Sequence, residues 1–214
     1  MSGTSKFWDK AAESYAKSKI SDMEGYTHTL ERTRSYLGAQ ETVLEIGCGT
    51  GATALELAQD TQSYLGTDVS RGRIDIARRN AGRAAIAQLR FDVAGTLEAL
   101  QACPPVTRVL AFNVLHLLKD IPATLRAAHH ALEPGGLLIT KTSCLRSAKL
   151  PLRVIVALIL PLMRLVGKAP YVKSLTKSEL DLMIEAAGFQ IVETVGSAKD
   201  PSRHYVVARR IERG

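Results

Sequence analysis

The stretch VLEIGCGTG, Val43 to Gly51, decides the fold, because it joins a short apolar segment to three glycines at alternate positions. The apolar half favours a buried strand. Gly47, Gly49 and Gly51 then let the backbone turn sharply, with no Cβ in the way. Residues 52–59, ATALELAQ, predict a helix directly after this loop. Because the unpaired N–H groups of a helix N-terminus favour an anion or an acceptor, the stretch indicates a nucleotide-type site.

Length and composition limit the remaining choices. The chain has 214 residues and is 46% hydrophobic, which suits a single α/β domain, 1–214, with a full core. The N-terminus, MSGTSKFWDK, has no apolar run after a basic start, so we expect no secretory signal and a cytoplasmic location. Cys48, Cys103 and Cys144 lack metal-like spacing and are expected to be free thiols in a reducing compartment. We therefore expect no metal site.

The net charge of +7 admits nucleic acid, an acidic membrane surface or an anionic substrate as partner. The densest basic stretch, RGRIDIARRNAGR at 71–83, has the pattern of the solvated face of a helix. No aromatic residues interleave with its arginines, and no zinc finger or RNA-binding pattern occurs. Nucleic acid is therefore the least favoured partner.

Apolar runs and helical patterns alternate along the chain. Strands are predicted at 42–47, 63–68, 87–93, 106–114 and 135–142, and helices at 50–59, 70–83, 96–102 and 121–132. This order predicts a doubly wound, Rossmann-like α/β fold with a mostly parallel sheet and its ligand at the carboxyl edge of the strands. After a helix at 176–187, GFQIVETV and SRHYVVARR are joined by a short connection. They should pair and give a seven-stranded sheet with an antiparallel C-terminal strand.

The glycine loop alone leaves two cofactors open. GCGTGA also fits the G-x-G-x-x-A pattern of dinucleotide sites, and Asp68 follows at a distance that suits a ribose hydroxyl. The context favours a different class, because a helical region at 1–40 precedes the first strand and Glu45 lies two residues before the first glycine. A dehydrogenase is also less favoured because no catalytic Tyr-x-x-x-Lys pattern stands out.

Several segments carry a family resemblance: LEIGCGTG, LGTDVS, RFDV, FNVLHLL and LEPGGLLI, with WDKAAESYAK near the start. Through them the chain resembles the class I S-adenosylmethionine-dependent methyltransferases, in particular the small-molecule branch with the ubiquinone/menaquinone-type and type 11 methyltransferases. The resemblance covers nearly the whole chain. It implies S-adenosyl-L-methionine as cofactor and S-adenosyl-L-homocysteine as product.

The resemblance also implies a set of cofactor-binding residues. They are Tyr15, Glu45, Gly47, Cys48, Gly49, Gly51, Asp68, Val69, Asp92, Val93 and Asn113. Among them, Asp68 would accept hydrogen bonds from both ribose hydroxyls, a geometry that a fixed carboxylate provides well. Asp92 would accept from the adenine amino group, with the Val93 amide facing the ring. The alternative for both aspartates is helix N-capping.

The resemblance adds roles around the methyl group. Glu45 would belong to the polar network of the pocket, and the Asn113 carbonyl would lie near the methionine ammonium. His116 could act as the catalytic base for an oxygen or acidic-carbon nucleophile. The alternative, which we favour slightly, is that this histidine packs among its apolar neighbours. Trp8 and Tyr15 would belong to an N-terminal helical lid at 1–40, unless they only pack.

A segment at 145–172 departs from a minimal methyltransferase. Its uncharged run, Val154 to Met163, is too short to cross a bilayer. As a substrate-side insertion it could cover a hydrophobic pocket, make peripheral contact with an anionic membrane through 145–168, or form a homodimer face. We favour the first of these roles.

The sequence therefore predicts methyl transfer to a small-molecule acceptor that is apolar or amphipathic. One alternative is a lipid or quinone methyltransferase that works at the membrane surface. Another is a cofactor-binding, catalytically inactive subunit that acts through a partner.

Overall fold

The structure is a computed structural model that describes residues 3–17, 22–150, 158–159, 162–163, 169–197 and 199–212. The strands are β1 (Thr42–Ile46), β2 (Ser63–Asp68), β3 (Leu89–Val93), β4 (Val106–Phe112), β5 (Leu132–Ser143), β6 (Phe189–Gly196) and β7 (Arg203–Arg210). The main helices are α1 (Gly3–Lys17), α2 (Met23–Arg34), α3 (Ala52–Leu57), α4 (Arg71–Ala84), α5 (Thr96–Ala102), α6 (Ile121–Ala131) and α7 (Lys177–Ala186).

The seven strands form one sheet in the order β3-β2-β1-β4-β5-β7-β6. Strands β1 to β5 pair in parallel with their neighbours, whereas β7 runs antiparallel to both β5 and β6. The strand order reverses direction beside β1, and in such sheets the ligand crevice opens at this switch point. The predicted α/β, mostly parallel sheet with an antiparallel C-terminal strand is confirmed.

Strand β1 is central because its side chains are buried on both faces of the sheet. Leu44 and Ile46 pack in an apolar cluster with residues of α5 and α6. Val43 points to the opposite cluster, which contains residues of α3 and α4. A strand that is covered by helices on both faces favours a largely apolar sequence, and the opening of the VLEIGCGTG stretch has one apart from the buried Glu45.

The structure shifts two predicted boundaries, and the first of them lies beside the ligand crevice. Strand β4 ends at Phe112 instead of residue 114, because Asn113 takes a left-handed backbone conformation with φ of 54°. A short 3₁₀ turn, Leu115–Leu117, follows it. Strand β5 begins at Leu132, inside the predicted helix at 121–132. The chain therefore turns away from the end of β4 earlier than the apolar run indicates.

Much of the segment at 145–172, including Arg153, Arg164 and Lys168, lies outside the described residues. Five of its described apolar side chains are exposed to solvent: Leu150, Leu158, Ile159, Leu162 and Met163. In the part of the chain that the structure describes, no helix is long and apolar enough to span a bilayer.

Candidate active site

A cavity of about 700 Å³ opens at the carboxyl edge of β1, β2, β4 and β5. Its volume lies within the range typical of cofactor and ligand sites. Seven of the sequence-predicted residues line it: Glu45, Gly47, Cys48, Gly49, Asp68, Val69 and Asn113. The motif residues that follow β1 and β2 thus meet in one place, as the parallel strands require.

The three glycines of the loop have different structural roles. All three have positive φ, which glycine adopts without strain. A Cβ on Gly47 would lie 2.5 Å from the Val114 side chain, and one on Gly51 would lie 2.6 Å from Phe91, whereas one on Gly49 would meet nothing within 4 Å. Gly51 does not line the cavity, and it instead lets α3 pack closely on the sheet. Gly49 leaves open space where a ligand could approach the backbone.

The carboxylate of Asp68 is fixed at the end of β2. It is 5% exposed, and it accepts hydrogen bonds from the Gly49 amide at 3.1 Å and from the Ser70 amide at 2.9 Å. A carboxylate has about four acceptor sites, so it retains capacity for a ligand's hydroxyls. The N-cap of α4 is Ser70, whose side chain accepts from the Arg73 amide. Asp68 is therefore not the helix cap that the alternative interpretation required.

Helix α1 forms part of the cavity wall beside Asp68. The Trp8 ring lines the cavity and packs against the Arg73 guanidinium, which lies 4.0 Å from the ring centroid. Arg73 also lies 3.7 Å from Asp68 Oδ2. The Asp9 carboxylate accepts from Ser70 Oγ at 2.7 Å and from the Gly72 amide at 3.0 Å. These contacts tie α1 to the first turn of α4; Tyr15 also lies in α1, but its side chain is outside the described set.

Glu45 lies at the base of the cavity and is 2% exposed. Burial raises the pKa of its carboxyl to about 7, and the nearby Asp68 adds to this shift. The Tyr64 hydroxyl donates to Glu45 Oε2 at 2.9 Å, which opposes the shift. Near neutral pH this acid can therefore exchange a proton with little change in free energy.

The structure does not bring Asp92 or Val93 to the cavity wall. The Asp92 carboxylate is exposed and pairs with Arg78 of α4 at 3.0 Å. Residues Ala94 and Thr96, just beyond β3, line the cavity instead. Side chains alternate along a strand, so Phe91 faces the core while Asp92 faces out. The N-cap of α5 is Gly95, so Asp92 is not a helix cap either.

His116 lies in the 3₁₀ turn after β4 and does not line the cavity, although its neighbours Leu117 and Leu118 do. Burial lowers the pKa of its imidazole to about 4. Among the described residues, none forms a hydrogen bond with its buried Nδ1 atom. This position supports the packing interpretation, since a base must reach the proton that it removes.

Sequence reasoning missed a charged cluster at the opposite end of the cavity. Arg203 at the start of β7 donates to Asp22 Oδ2 at 2.5 Å and to Asp200 Oδ2 at 3.1 Å. Lys141 of β5 donates from Nζ to the Thr29 hydroxyl at 2.7 Å and to the Gly25 carbonyl at 3.1 Å. Only one signal was available, namely that Lys141 interrupts an apolar strand near its carboxyl end.

Comparisons with known proteins agree with this geometry. Residues 44–138 match the family model described as "Methyltransferase domain". The ubiquinone biosynthesis O-methyltransferase of Azorhizobium caulinodans is 31% identical over 163 residues, which make up 75% of this chain and 63% of that protein. The chain thus spans less than two thirds of the length of this relative.

Solved structures share the fold at low identity. The N-methyltransferase NodS from Bradyrhizobium japonicum has a TM-score of 0.65 at 20% identity, over 89% of this chain and 97% of that one. A SAM-dependent methyltransferase from Aquifex aeolicus has a TM-score of 0.65 at 15% identity, over 85% and 89% of the two chains.

The sheet order, the cavity and these similarities support one class of protein. Residues 44–138 match a methyltransferase domain, and the fold around them is the Rossmann-like fold of the class I, S-adenosylmethionine-dependent methyltransferases. The resemblance found in the sequence is confirmed at this level, and S-adenosylmethionine is the cofactor of the class. The site fits such a group, because Gly49 leaves its backbone open and the Asp68 carboxylate faces the same cavity.

Proposed function

We propose that this protein transfers a methyl group from S-adenosylmethionine to a small acceptor that is apolar or amphipathic, and that it does so in the cytoplasm. The observation that carries the proposal is the carboxylate of Asp68, held by two main-chain amides at the wall of a cavity beside an open glycine. The similarity to methyltransferases supports the same reaction class.

In this proposal the chain's own residues bind and align the reactants. Asp68 accepts from the ribose hydroxyls, and the backbone around Gly47 and Gly49 contacts the methionine part. Cys48, Val69 and Asn113 complete the cofactor side, while Ala94 and Thr96 take the adenine end that the sequence assigned to Asp92 and Val93. The cofactor supplies an activated methyl group, so alignment and exclusion of water provide much of the acceleration.

The N-terminal region at 1–40 acts in this proposal as a lid over the cofactor. Its support is the docking of α1 on α4 through Asp9 and Trp8. Because Trp8 lines the cavity, α1 limits the access of water to the nucleoside end. The segment at 145–172 would cover the acceptor side of the same domain.

A screen with isotopically labelled S-adenosylmethionine tests the proposal. Metabolite extracts are incubated with the wild-type chain and with Asp68→Ala, and labelled products are identified by mass spectrometry. We expect a small labelled product with the wild type that is lost with the variant. Binding of S-adenosylhomocysteine without any labelled product would instead favour the inactive partner subunit.

A second candidate function is methylation of a lipid or quinone at an anionic membrane surface. It is favoured by the exposed apolar side chains of Leu158, Ile159, Leu162 and Met163, which water does not solvate well. Lys149, Arg153, Arg164 and Lys168 flank this run in sequence and would each add on the order of 1 kcal/mol on anionic lipids. A homodimer face would bury the same side chains.

Liposome flotation separates these roles. On vesicles with anionic lipids, the membrane function predicts strong flotation that salt weakens, and Leu158→Asp with Leu162→Asp should abolish it. A cover over the acceptor predicts no flotation even at low salt. A homodimer predicts a doubled mass in light scattering that the same two substitutions remove.

A further inference from the structure

A second cavity of about 290 Å³ lies beside the first, between α2 and the facing ends of β6 and β7. Its size is at the small end of the range for ligand sites, so it suits a compact group. The two cavities have three lining residues in common: Asp22, Lys141 and Arg203. A molecule in the second cavity would therefore reach the cofactor cavity across a charged boundary.

The charges of this boundary are unevenly paired. Arg203 is balanced, because Asp22 and Asp200 both accept from its guanidinium. Lys141 donates only to uncharged partners, the Gly25 carbonyl and the Thr29 hydroxyl. Within the described part of the chain it forms no ion pair at 4 Å or less. The formal charges of these four groups sum to zero, but both carboxylates contact Arg203, so Lys141 is the cation of the boundary that no described carboxylate contacts.

The ammonium group of Lys141 also retains a donor. An ammonium has three N–H groups, and two of them are used by α2. Burial lowers the pKa of Lys141, Arg203 lowers it further, and Asp22 opposes them. An anion at the third N–H would favour the charged form and offset the effect of burial.

We infer that Lys141 binds an ionised oxygen of the methyl acceptor, a carboxylate or a phenolate, whose remaining atoms occupy the second cavity. The inference rests on the proposed function, because it specifies the acceptor of the same site. A charge-assisted hydrogen bond to an anionic oxygen uses both the free donor and the charge of Lys141, which no described carboxylate contacts. A neutral acceptor would use only the donor.

Two probes of equal size test this directly. The full chain is saturated with S-adenosylhomocysteine and titrated with 3-hydroxybenzoate or with its neutral counterpart 3-hydroxybenzamide in a calorimeter. The wild type should bind the benzoate at least about tenfold more tightly, which is the effect of one charge-assisted hydrogen bond. Equal binding of the two probes, or no binding of the benzoate at millimolar concentration, overturns the inference.

Matched variants identify the residue. Lys141→Met should remove the preference for the benzoate, whereas Lys141→Arg should retain part of it. Lys119→Met is the control, because this exposed lysine lines neither cavity and its loss changes the net charge equally. An unchanged preference in Lys141→Met, or an equal loss in Lys119→Met, contradicts the assignment.

A third variant locates the probe and does not touch the lysine. His28 lines only the second cavity, so His28→Trp should reduce its volume and weaken benzoate binding by about tenfold or more while S-adenosylhomocysteine still binds. Benzoate binding that His28→Trp leaves unchanged would place the probe elsewhere and overturn the inference. Failure of the wild type to bind S-adenosylhomocysteine would instead contradict the proposed function.

Discussion

The two ends of the active-site cavity are built in different ways. At the glycine-loop end, Gly49 and Asp68 are 19 positions apart in sequence and are joined by a hydrogen bond from a main-chain amide. At the β5–β7 end, Asp22 and Arg203 are 181 positions apart and are joined through their side chains. The glycine-loop end is formed by one strand-loop-helix unit, from β1 to α3, and by the neighbouring strand β2. The second exists only when the N-terminal region has docked on the completed sheet.

The largest effect on binding is expected at the glycine-loop end of the cavity. Asp68→Ala should weaken binding of S-adenosylhomocysteine by about 1.5–3 kcal/mol, because charge-assisted hydrogen bonds to the ligand are lost. Asp92→Ala is the matched control and should bind like the wild type, since its carboxylate faces Arg78 outside the cavity. Calorimetry measures both. An equal loss in Asp92→Ala would restore the adenine role that the sequence suggested.

The next effect concerns the buried acid at the same end. The pKa of Glu45 is raised from 4.5 to about 7, so between these values the native state holds a proton that the unfolded chain releases. The free energy of unfolding should therefore fall as pH rises through this window. Glu45→Gln should match the wild type near about pH 4 and exceed its stability by on the order of 2 kcal/mol near about pH 8.

Urea unfolding at the two pH values checks this expectation. Glutamine keeps an oxygen that can accept from Tyr64, so the variant changes ionisation more than packing. The same pH dependence in the variant and the wild type would show that Glu45 does not titrate in this window.

A smaller effect is expected at the β5–β7 end. Asp22 caps α2 by accepting from the Gly25 amide at 2.9 Å, and it also pairs with Arg203. Asp22→Asn keeps a capping oxygen but loses the charge, whereas Asp22→Ala loses both. The alanine variant should unfold about 2–4 °C below the asparagine variant in calorimetry. Identical unfolding midpoints for the two variants would mean that the Asp22 cap of α2 does not stabilise the protein.

The smallest effect is expected for His116, which lies outside the cavity. His116→Ala should leave the methyl-transfer rate per folded molecule within about twofold of the wild type, because a base acts only within reach of its proton. The labelled-cofactor assay measures this rate, with binding of S-adenosylhomocysteine as the control. A rate loss of about 10²-fold or more with unchanged cofactor binding would make His116 the base after all.

The same contrast explains what could be predicted from the sequence. The sheet, its parallel strands and the Gly49–Asp68 pair follow from local patterns: an apolar strand, a glycine loop and a second strand that ends in an acid. Each of these patterns can be recognised from a few consecutive residues. The antiparallel β7 could be predicted because its connection to β6 is short.

Two site predictions did not take the local backbone into account. In β3 the alternation of LRFDV places Phe91 towards the core and Asp92 on the outer face, whereas the adenine role was assigned to Asp92 from the family resemblance alone. For His116, the left-handed backbone of Asn113 ends β4 early and starts a 3₁₀ turn. Such a conformation is uncommon outside glycine and carries no strong sequence signal.

The Asp22–Arg203 pair could not be predicted for a different reason. Its partners come from opposite ends of the chain, and each charge alone is typical of a solvated surface. Lys141 gave a weak signal as a charge within an apolar strand, but its partners on α2 appear only in the folded chain.

The most direct test of the account compares two cofactors on the wild-type chain. Calorimetric titrations with S-adenosylhomocysteine and with NAD use the same protein and the same cavity. We predict that S-adenosylhomocysteine binds at one site and that NAD does not bind measurably, because the sheet with its antiparallel β7 and the match of residues 44–138 are those of a methyltransferase domain. Tighter binding of NAD than of S-adenosylhomocysteine would contradict the account.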